Sequence, residues 1–128
     1  IKIGDAMSKN VVTVEGNVSL EDVCKIMGKK HIGSVLVTEG EKLLGIFTER
    51  DLLSKVMVKK VSLKKSKVKN YMSSPLTVIS PDFDIKEAAR AMAQLKIRRL
   101  PVVKEGKLVG ILTSSDITRA MGDATLNI

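Results

Sequence analysis

The chain has 128 residues, 44% of them hydrophobic but only 2% aromatic, and its 22 Lys and Arg against 14 Asp and Glu give a formal charge of +8. Such a length suits one compact domain or two small modules sharing a core, built from Val, Ile, Leu, Met and Ala rather than from rings. No apolar run reaches the roughly 18 residues of a membrane span, no secretory leader precedes the first element, and the single Cys24 excludes an internal disulfide framework, so a soluble protein in a reducing, cytoplasmic setting is expected.

The elements recur in the same order in both halves. Ile3 and Met7 lie four residues apart, as do Val68 and Met72, so each half opens on a short helical turn, followed by Ser8 or Ser73. Val11–Val14 and Leu76–Ile79 read as strands, closed by Gly16-Asn17 and Pro81-Asp82. Ser19 with Asp22, and Asp84 with Glu87, form capping boxes that start helices. One helix carries the apolar stripe Leu20, Val23, Cys24, Ile26 and Met27; the other carries Ile85, Ala88, Ala89 and Met92.

Two hairpins follow. Ser34–Thr38 and Lys42–Phe47 flank Glu39-Gly40-Glu41, while Leu100–Val103 and Lys107–Leu112 flank Lys104-Glu105-Gly106. The shifted turn glycine predicts turns of different type. Closing helices are expected from Asp51 to about Val58 and from Asp116 to about Met121, with Gly122 as a stop signal. His31 reads as a strand-edge polar group, and Cys24 as a buried helical residue. The expected fold is α+β: two β-α-β-β-α repeats about a pseudo-two-fold axis, each with a three-stranded sheet and two helices. Neither sheet buries enough alone, so the repeats pack together and leave clefts between them. The domains are placed at 1–63 and 66–128.

The chemistry concentrates at one recurring junction. Gly45-Ile46-Phe47-Thr48-Glu49-Arg50-Asp51 returns as Gly110-Ile111-Leu112-Thr113-Ser114-Ser115-Asp116, a strand running into a helix. On one reading the threonine hydroxyl caps the first turn and the aspartate reaches back to the cap amide. On the other, the helix start suits a phosphate, the aspartate accepts bonds from ribose hydroxyls, and the glycine admits a ring close to the backbone.

Catalytic signals are missing. One histidine and one cysteine assemble neither a zinc-type cluster nor a serine triad, and there is no Gly-x-Gly-x-x-Gly and no Gly-x-x-x-x-Gly-Lys-Ser/Thr. A non-enzymatic binding protein without catalytic or metal residues is expected. Nucleic acid is a weaker candidate partner: Lys55, Lys59, Lys60, Lys64, Lys65, Lys67 and Lys69 crowd the junction of the repeats, where a solvated connector is the commoner meaning. Tyr71, Phe47 and Phe83 are too few for base stacking.

Taken together, the order Met-Ser, strand, capped helix, Ile32-Gly33-Ser34-Val35 or Ile97-Arg98-Arg99-Leu100-Pro101-Val102, then Gly-Ile-x-Thr-x-x-Asp, resembles a tandem pair of CBS (cystathionine-β-synthase) domains over nearly the whole chain. The resemblance implies a regulatory, energy-sensing module whose clefts bind AMP, ADP, ATP or S-adenosylmethionine. It implies that Asp51 with Thr48, and Asp116 with Thr113, hold ribose and lie near phosphate. It places adenine against Val12 and Thr13 with Ile32 to Val35, Ser34 among them, and against Thr77 and Val78 with Ile97 to Pro101. Arg98 and Arg99 match a phosphate-meeting position, Arg50 lies within the first motif, and Ser115 replaces it in the second. The two guanidiniums favour the Asp116 cleft for a phosphorylated ligand; the alternative is that they are surface residues on an edge strand. Homodimerisation through the helices and control of an effector protein are also implied. Two other functions stay open, a basic nucleic-acid-binding adaptor and a ligand-free structural dimerisation unit.

Overall fold

The structure, a computed structural model, describes residues 1–74 and 76–126, the last four by backbone alone. Residues 75, 127 and 128 of the second expected domain lie outside the described residues. The elements are α1 (Ile3–Ala6), β1 (Thr13–Glu15), α2 (Leu20–Lys30), β2 (Ser34–Glu39), β3 (Lys42–Thr48), α3 (Glu49–Asp51), which continues as a π-helical segment (Leu52–Met57), a 3-10 turn (Val68–Asn70), α4 (Ile85–Leu95), β4 (Arg99–Lys104), β5 (Lys107–Thr113) and α5 (Ser114–Leu126). The α+β class is the expected one.

The compact units do not follow the repeat boundaries drawn along the chain. One unit is continuous, Val12–Leu76; the other joins Ile1–Val11 to Thr77–Ile128. The opening turn of each repeat is therefore buried among residues of the other half. Val68 is fully buried with Val14, Leu20, Val23, Val35, Val37, Phe47 and Val56. Ile3 is fully buried with Ile85, Ala88, Met92, Leu100, Val102, Leu112 and Ile117.

Backbone bonds fix the exchange in matching sets. Val68 donates to Val18 (2.9 Å), Lys69 to Gly16 (3.1 Å), and Leu20 to Ser66 (2.9 Å). In the other unit Ile3 donates to Phe83 (2.8 Å), Gly4 to Pro81 (2.9 Å), and Ile85 to Ile1 (2.9 Å). The Met-Ser doublets complete it. Ser73 and Ile46 exchange two backbone bonds (2.8 and 3.1 Å), as do Ser8 and Ile111 (2.9 and 3.0 Å).

These contacts correct the reading of the motif glycines as openings for a ring. A Cβ on Gly45 would lie 2.6 Å from the Ser73 carbonyl and 2.8 Å from the Met72 sulfur; on Gly110 it would lie 2.7 Å from both the Met7 sulfur and the Ser8 carbonyl. The space belongs to the exchanged segment.

Within the continuous unit β1 runs parallel to β2, and β2 antiparallel to β3. The other unit has β4 antiparallel to β5 and, in place of a third strand, one parallel bridge between Ile79 and Val102. Proline explains the difference from the expected strand over 76–79. Leu36 donates its amide to Val12 (3.2 Å), but the equivalent residue is Pro101, which has no amide hydrogen to give to Thr77. Ile79 to Pro101 and Val103 to Ile79 remain, at 3.1 and 2.9 Å.

The hairpin turns differ as expected: φ is positive at Gly40 alone in the first, and at both Glu105 and Gly106, a type I′ pattern, in the second. Other local expectations are revised. Ser19 accepts from the Asp22 amide (3.1 Å) and Asp84 from the Lys86 amide (2.9 Å), and neither box has a reciprocal bond among the described residues. His31 is no strand-edge group but the left-handed cap of α2 (φ 54°), matched by Lys96 after α4 (φ 56°). Gly122 does not stop α5, which continues to Leu126 because the backbone there takes no left-handed turn.

Ile3→Ala is expected to lower the unfolding free energy by about 2–5 kcal/mol, the cost of emptying a core position, although the residue stands at the start of the chain. Exposed Lys9→Ala should change it by under about 0.5 kcal/mol. Urea denaturation of both variants checks this.

Candidate functional site

Each copy of the junction motif places a buried carboxylate at a helix start. In the first, Thr48 has extended backbone and ends β3; its hydroxyl accepts from the Asp51 amide (3.2 Å), and its own amide donates to Asp51 Oδ2 (2.9 Å). In the second, the Asp116 amide donates to Thr113 Oγ1 (3.2 Å) and the Thr113 amide to Asp116 Oδ2 (2.9 Å). Both capping boxes are complete, with Asp in the position usually held by Glu or Gln. Asp51 is 4% exposed and Asp116 8%.

The remaining carboxylate bonds differ between copies. Asp51 Oδ2 also accepts from the Thr48 hydroxyl (3.1 Å), while Oδ1 accepts from the Ser73 hydroxyl (2.8 Å) and the Lys55 ammonium (3.0 Å). Lys55 Nζ further reaches the Tyr71 and Met72 carbonyls (3.4 and 3.3 Å) and Ser73 Oγ (3.3 Å). Asp116 Oδ1 accepts only from Arg119 (3.2 Å) among the described residues. Burial alone raises the Asp51 carboxyl; the Thr48 amide, the Ser73 hydroxyl and the Lys55 ammonium outweigh it and hold the group below its ordinary value.

The residues predicted to bind a ligand separate cleanly between the units. Thr13, Ile32, Ser34, Thr48, Arg50 and Asp51 belong to the continuous one; Thr77, Val78, Ile97, Arg98, Arg99, Pro101, Thr113, Ser115 and Asp116 belong to the other. Sheet register brings members of each set together. Ser34 lies opposite Thr48 and Arg99 opposite Thr113, and the Glu49 and Ser114 amides donate to the Gly33 and Arg98 carbonyls at 3.0 and 2.9 Å.

Thr77, Val78, Arg98, Arg99 and Ser115 are exposed, as are Thr13 and Arg50; Pro101 is buried. Among the described residues, the guanidiniums of Arg50, Arg98 and Arg99 make no ion pair. A surface depression of about 440 Å³ between α2 and α3 is lined by Cys24, Met27, Gly28, His31, Ile32, Glu49 and Leu52. Of the predicted ligand residues it includes only Ile32.

Sequence reasoning missed Lys55, Ser73 and Arg119 as partners of the two aspartates. Lys55 is not a solvated lysine of the connector: its ammonium sits on Asp51. The signal was present, since an acid and a base four residues apart on a helix are neighbours. Among the described residues no cluster of His, Cys, Asp and Glu could hold a metal ion, and no helix is long and apolar enough to cross a membrane.

Comparison with known proteins gives these features a context. The family profile described as CBS domain matches residues 3–58 and 68–123. The CBS domain-containing protein YhcV of Bacillus subtilis is 30% identical over 132 residues, covering 98% of this chain and 94% of that protein. Against several archaeal relatives the chain spans only part of the partner, between 42% and 61% of its length. Among solved structures, the CBS domain pair of protein MJ0100, in complex with 5′-methylthioadenosine and S-adenosyl-L-methionine, superposes with a TM-score of 0.82 at 28% identity, covering 97% of this chain and 98% of that one. A hexameric CBS-CP12 protein from bloom-forming cyanobacteria gives 0.77 at 33% identity, covering 91% and 69%.

The depressed Asp51 carboxyl contributes stability that is complete above the unfolded-state value of about 3.9 and is lost as pH falls through the lower folded value. Asp51→Asn should therefore cost about 1–3 kcal/mol at neutral pH, and the gap to wild type should narrow in acid. Urea denaturation at pH 7 and pH 3 measures both.

Proposed function

Because the chain belongs to the CBS-domain family, we propose that it is a non-catalytic regulatory module that binds an adenosine-containing ligand, AMP, ADP, ATP or S-adenosylmethionine, and reports its occupancy to an effector protein. One observation carries this reading: among the described residues the buried Asp116 carboxylate accepts two hydrogen bonds, while exposed Arg99, on the strand paired with its threonine, and exposed Arg98, just before that strand, make no ion pair.

A carboxylate with open acceptor positions suits a ribose diol, whose hydroxyls donate. Guanidiniums without acidic partners suit phosphate. Exposed Thr77 and Val78, with half-buried Ile97, offer apolar and hydroxyl surface for adenine, to which the buried Pro101 adds none, and Thr113 and Ser115 flank the carboxylate. Thr13, Ile32, Ser34, Thr48 and Arg50 are the corresponding set around Asp51. The ligands in the MJ0100 pair, both built on adenosine, support the ligand class. The hexameric CBS-CP12 relative supports self-association, for which a homodimer through the helices is the form proposed here. A cytoplasmic setting accords with the lone thiol of Cys24.

Thermal unfolding in the presence of each nucleotide and of S-adenosylmethionine tests the proposal. A ligand at one hundred times its dissociation constant adds about 2.7 kcal/mol. Asp116→Ala should abolish the ligand-induced shift while lowering ligand-free stability by about 0.5–2 kcal/mol, the range for a lost cap. No shift with any of these compounds at millimolar concentration overturns the proposal; a shift that survives Asp116→Ala reduces that residue to a cap.

A further inference from the structure

We infer that the first copy of the motif is closed by the protein's own Lys55, with Ser73, so that the chain takes one adenosine ligand, at Asp116, and Lys55 determines that asymmetry. The inference rests on the adenosine-ligand reading above and adds to it which copy is used and what closes the other.

A carboxylate offers about four acceptor positions, two on each oxygen. On Asp51 all are taken: Oδ2 by the Thr48 amide and hydroxyl, Oδ1 by Ser73 Oγ and Lys55 Nζ. On Asp116, among the described residues, the Thr113 amide takes one position on Oδ2 and Arg119 one on Oδ1, so one position on each oxygen remains. A vicinal diol brings two O–H donors. Asp116 can accept both, whereas Asp51 can accept neither without releasing an internal partner.

The two cations are held differently. Lys55 is 38% exposed, and its ammonium is shared among four oxygens, those of Asp51, Ser73 and the Tyr71 and Met72 carbonyls, at 3.0–3.4 Å. Displacing it breaks several contacts at once. Arg119 is 66% exposed and, among the described residues, makes a single contact of 3.2 Å, the kind of surface pair that contributes little.

The sequence encodes this difference at one position. A serine packs against both motifs, Ser73 against the first and Ser8 against the second, but the counterpart of Lys55 in the second copy is Ala120. Among the described residues the Ser8 hydroxyl makes no bond to Asp116, whereas Lys55 Nζ donates to Ser73 Oγ (3.3 Å) and so turns that hydroxyl onto Asp51; losing Lys55 frees one Oδ1 position directly and the other by letting the Ser73 hydroxyl rotate away.

Isothermal titration with AMP, and separately with S-adenosylmethionine, tests the inference on the whole chain. Wild type should bind one equivalent of a probe. Lys55→Met, which keeps the apolar stem, and Lys55→Ala, which copies the second repeat, should each bind two; adding Asp51→Asn to Lys55→Met should return the number to one. The unfolding transition of each variant verifies that it is folded.

Two equivalents in wild type, one equivalent in both Lys55 variants, or a second site that persists after Asp51→Asn would each overturn the role of Lys55 while leaving the adenosine reading standing. Absence of binding by either probe to wild type and to both Lys55 variants overturns the adenosine reading itself, and this inference with it.

Discussion

The structure depends on a reciprocal exchange: the opening turn of each repeat fills a cavity in the other half. Ile3 and Val68 are the anchors, both without solvent exposure, and each is fixed by backbone bonds to the loop before a capped helix. The Met-Ser doublet then seals the face of a motif glycine, so Gly45 answers to Met72 and Ser73, and Gly110 to Met7 and Ser8. Where a small three-stranded sheet cannot bury enough by itself, the borrowed turn supplies one more apolar layer. The motif thus serves as a packing device before any ligand is considered.

Much of this was legible in the sequence, because periodicity and turn chemistry are local. The two repeats, the capped helices, the hairpins and the Thr–Asp boxes follow from residues within a few positions of one another. The exchange does not: Ile3 and Met7 have the same spacing whichever core receives them, and no local rule says which half that is. The doublet before each first strand was visible, but its glycine partner lies far along the chain. Gly122 shows the opposite error, a local stop signal read where the backbone simply continues.

Two single-residue differences separate copies that otherwise fold alike. Pro101 in place of Leu36 removes one donor and reduces a ladder to a bridge, a loss that apolar alternation hides because it counts side chains and not amides. Lys55 in place of Ala120 brings an ammonium onto one aspartate and leaves the other to a solvent-exposed arginine. In the sequence Lys55 was one lysine among many in a charged stretch. Only the helical geometry separates it from its neighbours, turning it inward to Asp51 while Lys59 and Lys60 remain exposed.

The division into one continuous and one discontinuous unit also sets an order of assembly. Val12–Leu76 contains everything its own core requires, so during synthesis it can close once those residues have left the ribosome. The first eleven residues have no core to enter until the strands and helix that hold Leu100, Leu112 and Ile117 have been made, and closing so long a loop carries an entropic cost. Ile1–Val11 is therefore among the last parts of the two units to find its place, and until those strands and that helix are made Ile3 is an exposed apolar residue in search of a partner not yet synthesised.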